Sequence, residues 1–159
     1  MKKIITLVFA LFLCLSVYAQ SSDVISEILE AEEVSFGQVC YLSAVQMKFI
    51  DENASYENAI DALLENKIIP EKVDSDSIIP AINTVYILSR LWPVKGGLMF
   101  RLTKGAPRYA FKQFQSDGII DSDLDPAGSL SGAQVLSIYT ACLTQYGDFD
   151  MSTVSMEAE

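Results

Sequence analysis

The chain contains 159 residues, of which half are hydrophobic and a fifth are charged. Acidic side chains outnumber basic ones by 21 to 11, which gives a formal net charge of −10. A chain this acidic does not attract nucleic acid or anionic lipid through its overall field. It contains no histidine, so the commonest general base and the commonest metal ligand are missing. Composition therefore argues against nucleic-acid binding and against histidine-based catalysis.

The first 19 residues have the pattern of a secretory signal peptide. Two lysines at 2–3 precede an apolar run over 4–15, and Ala19 ends a small-x-small cleavage signal. The run has about 12 residues, whereas a membrane-spanning helix needs about 20. We therefore expect residues 1–19 to be removed, the protein to be exported to the periplasm or cell envelope, and the mature chain to have no transmembrane segment.

Cys14 offers an alternative anchor, because cleavage before it would expose a cysteine for acylation. Phe12 and Leu13 are bulkier than the small residues usual ahead of a lipidated cysteine, which favours cleavage after Ala19. Removal of the two lysines of the signal peptide leaves 9 basic side chains against 21 acidic ones, a net charge of −12.

An internal repeat organises residues 20–147, which we predict to form one helical domain. A shift of 51 residues aligns 57–92 with 108–143 without a gap, and a half copy lies at 34–49. Apolar positions stay in phase, as in the pairs Ala59/Ala110, Ile60/Phe111, Leu63/Phe114, Val85/Leu136 and Ile87/Ile138. Such repeats are typical of stacked units that bury their apolar faces against one another. A binding or scaffolding module is therefore the first hypothesis.

Apolar periodicity predicts six helices, an all-α fold. Ser35-x-x-Gln38 and Ser131-x-x-Gln134 are capping boxes, and Ser55 is a good N-cap. First-turn prolines mark two further starts. The predicted helices are 23–33, one from Ser35, 55–66, one from Pro80 that stops before Pro93, 107–118 and 131–146.

Two segments are not predicted to be helical. The connector 93–107 holds the apolar run Leu98-Met99-Phe100 between glycines, and we predict a short strand or a packed loop there. Residues 148–159 have no apolar stripe and are predicted to be an acidic, flexible tail.

The 51-residue repeat resembles an S-layer homology repeat. In the copy 108–143, Tyr109-Ala110 opens the first helix, Asp117-Gly118-Ile119-Ile120 ends it, and Leu130-Ser131-Gly132-Ala133-Gln134 starts the second. The copy 57–92 follows the same pattern with Lys67 in place of the glycine. The half copy at 34–49 supplies a second helix for a third unit. Either 23–33 serves as the first helix of that unit, or the unit is incomplete.

The resemblance implies a helical pseudo-trimer that attaches exported proteins to cell-wall polysaccharide. In that family a Thr-Arg-Ala-Glu-type motif at the start of the second helix carries the site. Here the corresponding stretches are Pro80-Ala81-Ile82-Asn83 and Ser131-Gly132-Ala133-Gln134, which hold neither the arginine nor the acid. The resemblance therefore extends to the fold more than to the family's glycan site.

Five of the nine mature cations form a basic strip, with no acid between Trp92 and Asp117. An arginine offers paired donors to a carboxylate, so charged sugars or an acidic protein face are natural partners. Trp92 lies close in sequence and is a candidate to stack on a sugar ring. The alternatives are a solvated connector and, for the aromatic residue, a core position. The basic strip consists of Lys95, Arg101, Lys104, Arg108 and Lys112.

Two cysteines follow the signal peptide, Cys40 and Cys142. In an oxidising compartment they are candidates for a disulfide that closes a loop of about 100 residues. They occupy different positions of the repeat, however, and two buried thiols that act as small hydrophobic side chains are the alternative.

A calcium loop is imitated by Asp121-x-Asp123-x-Asp125, where alternate carboxylates would face a cation. Pro126 replaces the glycine that such a loop needs, and Gly132 replaces its bidentate glutamate. We therefore predict a solvated interhelix loop and no metal.

Enzyme motifs are missing from the sequence, which has no histidine, no Cys-x-x-Cys, no Gly-x-Ser-x-Gly and no phosphate-binding glycine loop. We expect a non-catalytic, cofactor-free module that docks to cell-wall glycan or to an envelope component. A scaffold or accessory subunit of a periplasmic assembly is the alternative within binding. A small carboxylate-dependent hydrolase is the alternative from another class.

Overall fold

A computed structural model describes residues 19–147 of the chain, and within this range the protein is all-α, with no sheet strand. Residues 1–18, with Cys14 and the predicted signal peptide except its last residue, lie outside the described residues, as do residues 148–159, the predicted tail. The helices are α1 (Ala19–Glu30), α2 (Phe36–Gln46), α3 (Tyr56–Glu65), α4 (Ala81–Leu88), α5 (Leu98–Leu102), α6 (Pro107–Ser116) and α7 (Gly132–Tyr146).

Four of the five helix start signals of the sequence are confirmed; the fifth, Pro80, precedes its helix as the N-cap and does not lie in the first turn. Ser35 and Ser131 each accept a hydrogen bond from the third backbone amide of their helix, and the glutamine there bonds back to the cap. The Ser55 hydroxyl accepts from the Asn58 amide at 3.2 Å. Pro107 occupies the first turn of α6. These signals are local in sequence, which is why they fix the helix starts.

Two predicted helices have the wrong boundaries. α1 begins at Ala19, before its predicted start at 23, and ends at Glu30 and not near 33, because Val34 bonds through its backbone to neighbouring segments. α4 ends at Leu88, although its apolar pattern extends to Leu91. After Leu88 the backbone hydrogen bonds span three residues in place of four, from Arg90 to Ile87 and from Leu91 to Leu88.

The connector is also different from its prediction. Leu98–Leu102 is a short helix, α5, and neither a strand nor a loop. The Gly97 amide that precedes it donates to Oε1 of Gln113 at 2.9 Å, and so α6 positions the start of α5.

The helices pack as three pairs, α2 with α3, α4 with α6, and α7 with α1. α2 and α7 also contact α4. In each pair, one helix (α2, α4 or α7) follows a segment that is bonded through its backbone to a neighbouring segment, and the other helix packs beside it. α1 therefore has the same place next to α7 that α3 has next to α2 and that α6 has next to α4.

The backbone hydrogen bonds recur at the spacing of the sequence alignment. α6 has the bounds of α3 shifted by 51 residues, and α7 starts 51 residues after α4. Lys67 and Gly118, also 51 residues apart, are both left-handed, with φ of 58° and 73°. Three analogous hydrogen bonds link the segments ahead of α2, α4 and α7 in a ring, Phe36 N to Ser77 O (2.9 Å), Ala81 N to Gly128 O (2.8 Å) and Gly132 N to Ala31 O (2.9 Å).

One core lies inside this ring. The residues directly before the caps of α2, α4 and α7 are buried, and so is one large side chain from each of α1, α3 and α6. These residues belong to one continuous apolar cluster, so no helix pair has a core of its own. The six are Val34, Ile79, Leu130, Ile28, Leu63 and Phe114.

Gly132 is required where α7 meets α1. A Cβ atom at this position would lie 1.5 Å from the Ile28 carbonyl oxygen, inside van der Waals contact. Within residues 19–147, no helix is both long enough and apolar enough to cross a bilayer.

Candidate functional site

The structure divides the basic strip into two parts. All five cations are exposed. Lys95, Arg101 and Lys104 lie in or beside α5, whereas Arg108 and Lys112 lie one turn apart on α6. Residues four apart on a helix share a face, so the last two act together.

Arg108 and Lys112 line an open groove of about 510 Å³. α6 forms one wall, the first turn of α4 contributes Ile82, and the loop before α7 forms the other wall. Apolar and polar side chains alternate along it. The lining residues are Ile82, Arg108, Phe111, Lys112, Gln115, Ser122, Leu124 and Pro126.

Backbone hydrogen bonds hold the groove's far wall in place. The Ile82 amide donates to the Pro126 carbonyl at 2.9 Å, which joins the loop to α4. The Gln115 side-chain amide donates to the Ser122 carbonyl at 3.0 Å, which joins the loop to α6. Asp125 accepts from the Ala127 amide at 2.9 Å and closes the turn. The width of the groove is therefore set by the fold.

The groove presents two cations, Arg108 and Lys112, and none of the described residues that line it is acidic. The three aspartates of the loop 121–125 belong to the far wall but do not line the groove. Among the side chains that the structure describes, those of residues 24–147, the one ion pair joins Lys72 to Asp61, at 2.6 Å, so no carboxylate there forms an ion pair with Arg108 or Lys112. Arg108 presents a planar fork of donors and Lys112 a compact ammonium, and both recognise carboxylate or phosphate oxygens. The arrangement is suited to bind an anionic ligand that also has an apolar face.

Trp92 is not available as a sugar platform, so its assignment to the ligand site is wrong. Its side chain is buried, and its ring packs edge-to-face on Tyr139 with centroids 5.3 Å apart. The Tyr139 hydroxyl in turn donates to Gln46 on α2 at 2.6 Å. Trp92 thus joins α7 to the segment after α4, and the core alternative describes it.

Cys40 and Cys142 do not form a disulfide in the structure, where both are free thiols. Each is buried among apolar side chains, Cys40 on α2 and Cys142 on α7. Burial raises the pKa of both thiols to about 12, so neither ionises near neutral pH. They act as small hydrophobic side chains, which is the alternative that the sequence left open.

The acidic loop 121–125 is exposed, and its Asp125 is engaged in the turn. Between residues 19 and 147, no three His, Cys, Asp or Glu side chains are grouped so as to hold a metal ion.

Sequence reasoning missed a second feature, a pair of equivalent pockets. One lies beside α4 and has about 80 Å³; the other lies beside α7 and has about 230 Å³. Their shared positions differ by 51 residues, so the alignment itself contained the signal. The first pocket is smaller, and it has the large side chain of Tyr86 at the position where the second pocket has the small side chain of Ser137. The matched positions are Ile69/Ile120, Pro70/Asp121, Val73/Leu124, Asn83/Gln134, Tyr86/Ser137 and Ile87/Ile138.

No protein-family model matches the chain, and comparisons with curated proteins and with solved structures find no match either. The resemblance to S-layer homology repeats therefore depends on the residues and geometry of this chain alone.

Proposed function

We propose that this protein is an exported, non-catalytic docking module, similar to S-layer homology domains, that binds acidic cell-wall polysaccharide. The ring of three analogous segments supports the pseudo-trimer that the resemblance implies. α1 supports it further, because it packs on α7 in the place of a missing first helix.

The observation that carries the proposal is the groove with Arg108 and Lys112 beside apolar side chains. Two cations line one groove here although the chain has a net charge of −10. A sugar acid matches them, because its carboxylate would meet the paired donors of Arg108 while its ring would lie on Leu124 and Pro126. The groove is large enough for one or two sugar rings on the scale of ordinary ligand sites, which run from about 300 Å³.

The groove lies where the family's motif would be. Ile82 belongs to the stretch Pro80-Ala81-Ile82-Asn83 that corresponds to the motif, and it lines the groove. This stretch has no cation. Arg108 and Lys112 supply the charge instead, from the neighbouring first helix α6. The proposed ligand site is therefore at the same place as in the family, but its positive charge comes from a different helix.

Export is part of the proposal and has its own test. The signal peptide pattern implies a mature chain from Gln20 in the periplasm or envelope. The intact mass of the native protein should equal that of residues 20–159. A mass that corresponds to an acylated chain from Cys14 would instead place the protein on a lipid anchor.

Sedimentation with purified wall polysaccharide tests the binding proposal. The double variant Arg108→Gln/Lys112→Gln should lose retention about tenfold. Its retention should also depend less on salt, because salt screens the attraction of exposed charges, with a Debye length of about 10 Å at 0.1 M, and the variant has lost two of those charges. Lys48→Gln/Lys67→Gln is the matched control, since it removes two exposed cations outside the strip. Equal retention of the two double variants would contradict the proposal.

A protein scaffold is the second candidate, and the apolar half of the groove favours it. Ile82, Phe111, Leu124 and Pro126 would equally accept an apolar side chain of an acidic partner protein. In that case the wild type would fail to sediment with wall polysaccharide, and gentle extraction would recover a stable envelope partner that Arg108→Gln/Lys112→Gln does not retain.

A further inference from the structure

The short helix α5 carries the most exposed apolar surface in the described part of the chain. Leu98 is 80% exposed, Leu102 is 73% exposed, and Met99 is 47% exposed. Leu98 and Leu102 are one turn apart and so point in the same direction. Ordinary exposed apolar residues are scattered singly, whereas three on one five-residue helix form a patch.

The fold holds α5 in this orientation. The Phe100 ring turns inward and fills the space between Gly96 and Gly105, where an added Cβ would approach it to 2.4 Å and 3.0 Å respectively. The buried, left-handed Gly105 brings the chain back toward α6. The exposure of Leu98 and Leu102 is therefore a consequence of packing, since Phe100 occupies the inward-facing side.

A hydrogen-bond chain ties the start of α5 to the end of α7. The Gly97 amide donates to Gln113 at 2.9 Å, and the Gln113 side-chain amide donates to both Asp117 oxygens at 2.9 and 3.0 Å. The Tyr146 hydroxyl donates to the same carboxylate. This chain fixes the helix on the body of the protein.

Cations surround the apolar residues. Lys95 precedes α5, Arg101 lies in it, and Lys104 follows it, and all three are exposed. No acid occurs between Trp92 and Asp117, although the protein as a whole is strongly acidic. A convex apolar tip with a cationic rim matches a surface that is both anionic and deformable.

We propose that residues 95–104, the α5 tip, dock the protein peripherally on an anionic phospholipid bilayer. Leu98, Met99 and Leu102 enter the headgroup–acyl boundary. A five-residue helix is about 7 Å long, which is comparable to the depth of about 5–10 Å at which apolar side chains lie in that boundary. Lys95, Arg101 and Lys104 contact lipid phosphates. The inference uses residues outside the groove that binds polysaccharide in the proposed function, so either can hold without the other.

A bilayer fits better than a protein partner because the apolar side chains are so exposed, Leu98 by 80% and Leu102 by 73%. A protein would need an acidic pocket that encloses three protruding side chains, whereas a lipid interface deforms around them. The overall negative charge opposes long-range attraction, so we expect binding to be salt-sensitive and to require the apolar residues as well as the cations.

Co-sedimentation of the full chain with lipid vesicles tests the proposal. Vesicles with about one third phosphatidylglycerol should bind the wild type at least tenfold better than phosphatidylcholine vesicles, because each cation near an anionic surface contributes about fivefold in affinity. Leu98→Ser/Leu102→Ser should lose at least tenfold. Leu29→Ser/Ile78→Ser, which changes two apolar residues that are each 52% exposed elsewhere, should stay within twofold.

A position-specific measurement separates the tip from residues 4–15, which are present in every variant. The indole introduced by Leu98→Trp should shift its emission to the blue and be quenched by brominated phosphatidylglycerol. The indole introduced by Ile78→Trp should show neither effect. Equal quenching at both positions, unchanged binding of Leu98→Ser/Leu102→Ser, or capture of an envelope protein by the tip without vesicle binding would overturn the proposal.

Discussion

The two aligned copies, 57–92 and 108–143, have first helices of equal length and second helices that start at equivalent positions, but they differ in charge. Their first helices, α3 and α6, have bounds 51 residues apart and bury Leu63 and Phe114 at the same position. On the exposed face, however, Glu57 and Asp61 of α3 correspond to cations of α6. Burial constrains one face of the helix and leaves the other free to diverge.

The acids of the first copy have partners within their own copy. Glu57 accepts from the Ser75 hydroxyl at 3.0 Å, and Asp61 pairs with Lys72 at 2.6 Å. Hydrogen bonds from its own backbone amide, then from Ser75, lower the pKa of Glu57. The corresponding cations, Arg108 and Lys112, have no such carboxylate partner among residues 19–147. The first copy thus satisfies its charges internally, while the second presents them in an open groove.

Truncation of the two equivalent core residues is the strongest test of the shared backbone. Phe114→Ala should reduce the free energy of unfolding by about 3–5 kcal/mol and Leu63→Ala by about 2–5 kcal/mol, because each leaves a cavity in the single core. Chemical denaturation followed by circular dichroism measures both. Leu98→Ala, at an exposed position, is the control and should change it by less than about 0.5 kcal/mol. If either core variant unfolds at the same denaturant concentration as the wild type, the two positions are not equivalent.

Gly132→Ala tests whether α1 completes the ring next to the second copy. The added methyl group would meet the Ile28 carbonyl, so α1 must shift, and we expect a loss of about 1–3 kcal/mol. Gly97→Ala is the matched control, because its nearest neighbour would be 3.9 Å away. Thermal unfolding of the two variants should differ by several degrees. If they melt together, α1 does not pack against α7.

Alkaline pH should weaken the single core into which both copies pack. Burial raises the pKa of Cys40 and Cys142 from 9.0 to about 12 in the folded protein. The unfolded chain therefore loses these protons at lower pH than the folded one. Stability is fully present below pH 9 and is lost as pH rises from 9 toward 12, by at most about 1.4 kcal/mol per pH unit for each group.

Unfolding midpoints measured at pH 8, 9, 10 and 11 check this expectation. Burial, and then the hydrogen bond to Glu27, raise the pKa of Tyr56 to about 12. Tyr56 therefore adds to the loss of stability above pH 10. The variant Cys40→Ala/Cys142→Ala should therefore show a shallower decline between pH 9 and 10 than the wild type. An identical decline would mean that the thiols are accessible to solvent.

Local signals made much of the fold predictable. The capping boxes at Ser35 and Ser131 and the proline of α6 set helix starts from three or four consecutive residues. α5 was not predictable in this way, because five residues are too few to show periodicity and its start depends on Gln113 of α6.

The candidate site was predictable only in part. Arg108 and Lys112 lie four residues apart on a predicted helix, so their common face followed from the sequence. The opposite wall did not, because Ile82 and Pro126 meet α6 only in the folded chain. Trp92 was misassigned for the same reason, since Tyr139, the residue that buries it, belongs to another helix.

A charge exchange between the copies tests the central claim that the groove of the second copy binds an anionic ligand. Arg108→Glu/Lys112→Asp gives α6 the acids of α3. Arg108 lies in the first turn, where an acid is favourable, and Lys112 is exposed in the second turn, where a surface substitution changes stability by less than about 0.5 kcal/mol. The account predicts at least a tenfold loss of retention on purified acidic wall polysaccharide at low salt, with the unfolding midpoint unchanged. Retention equal to that of the wild type, in a variant that folds normally, would contradict it.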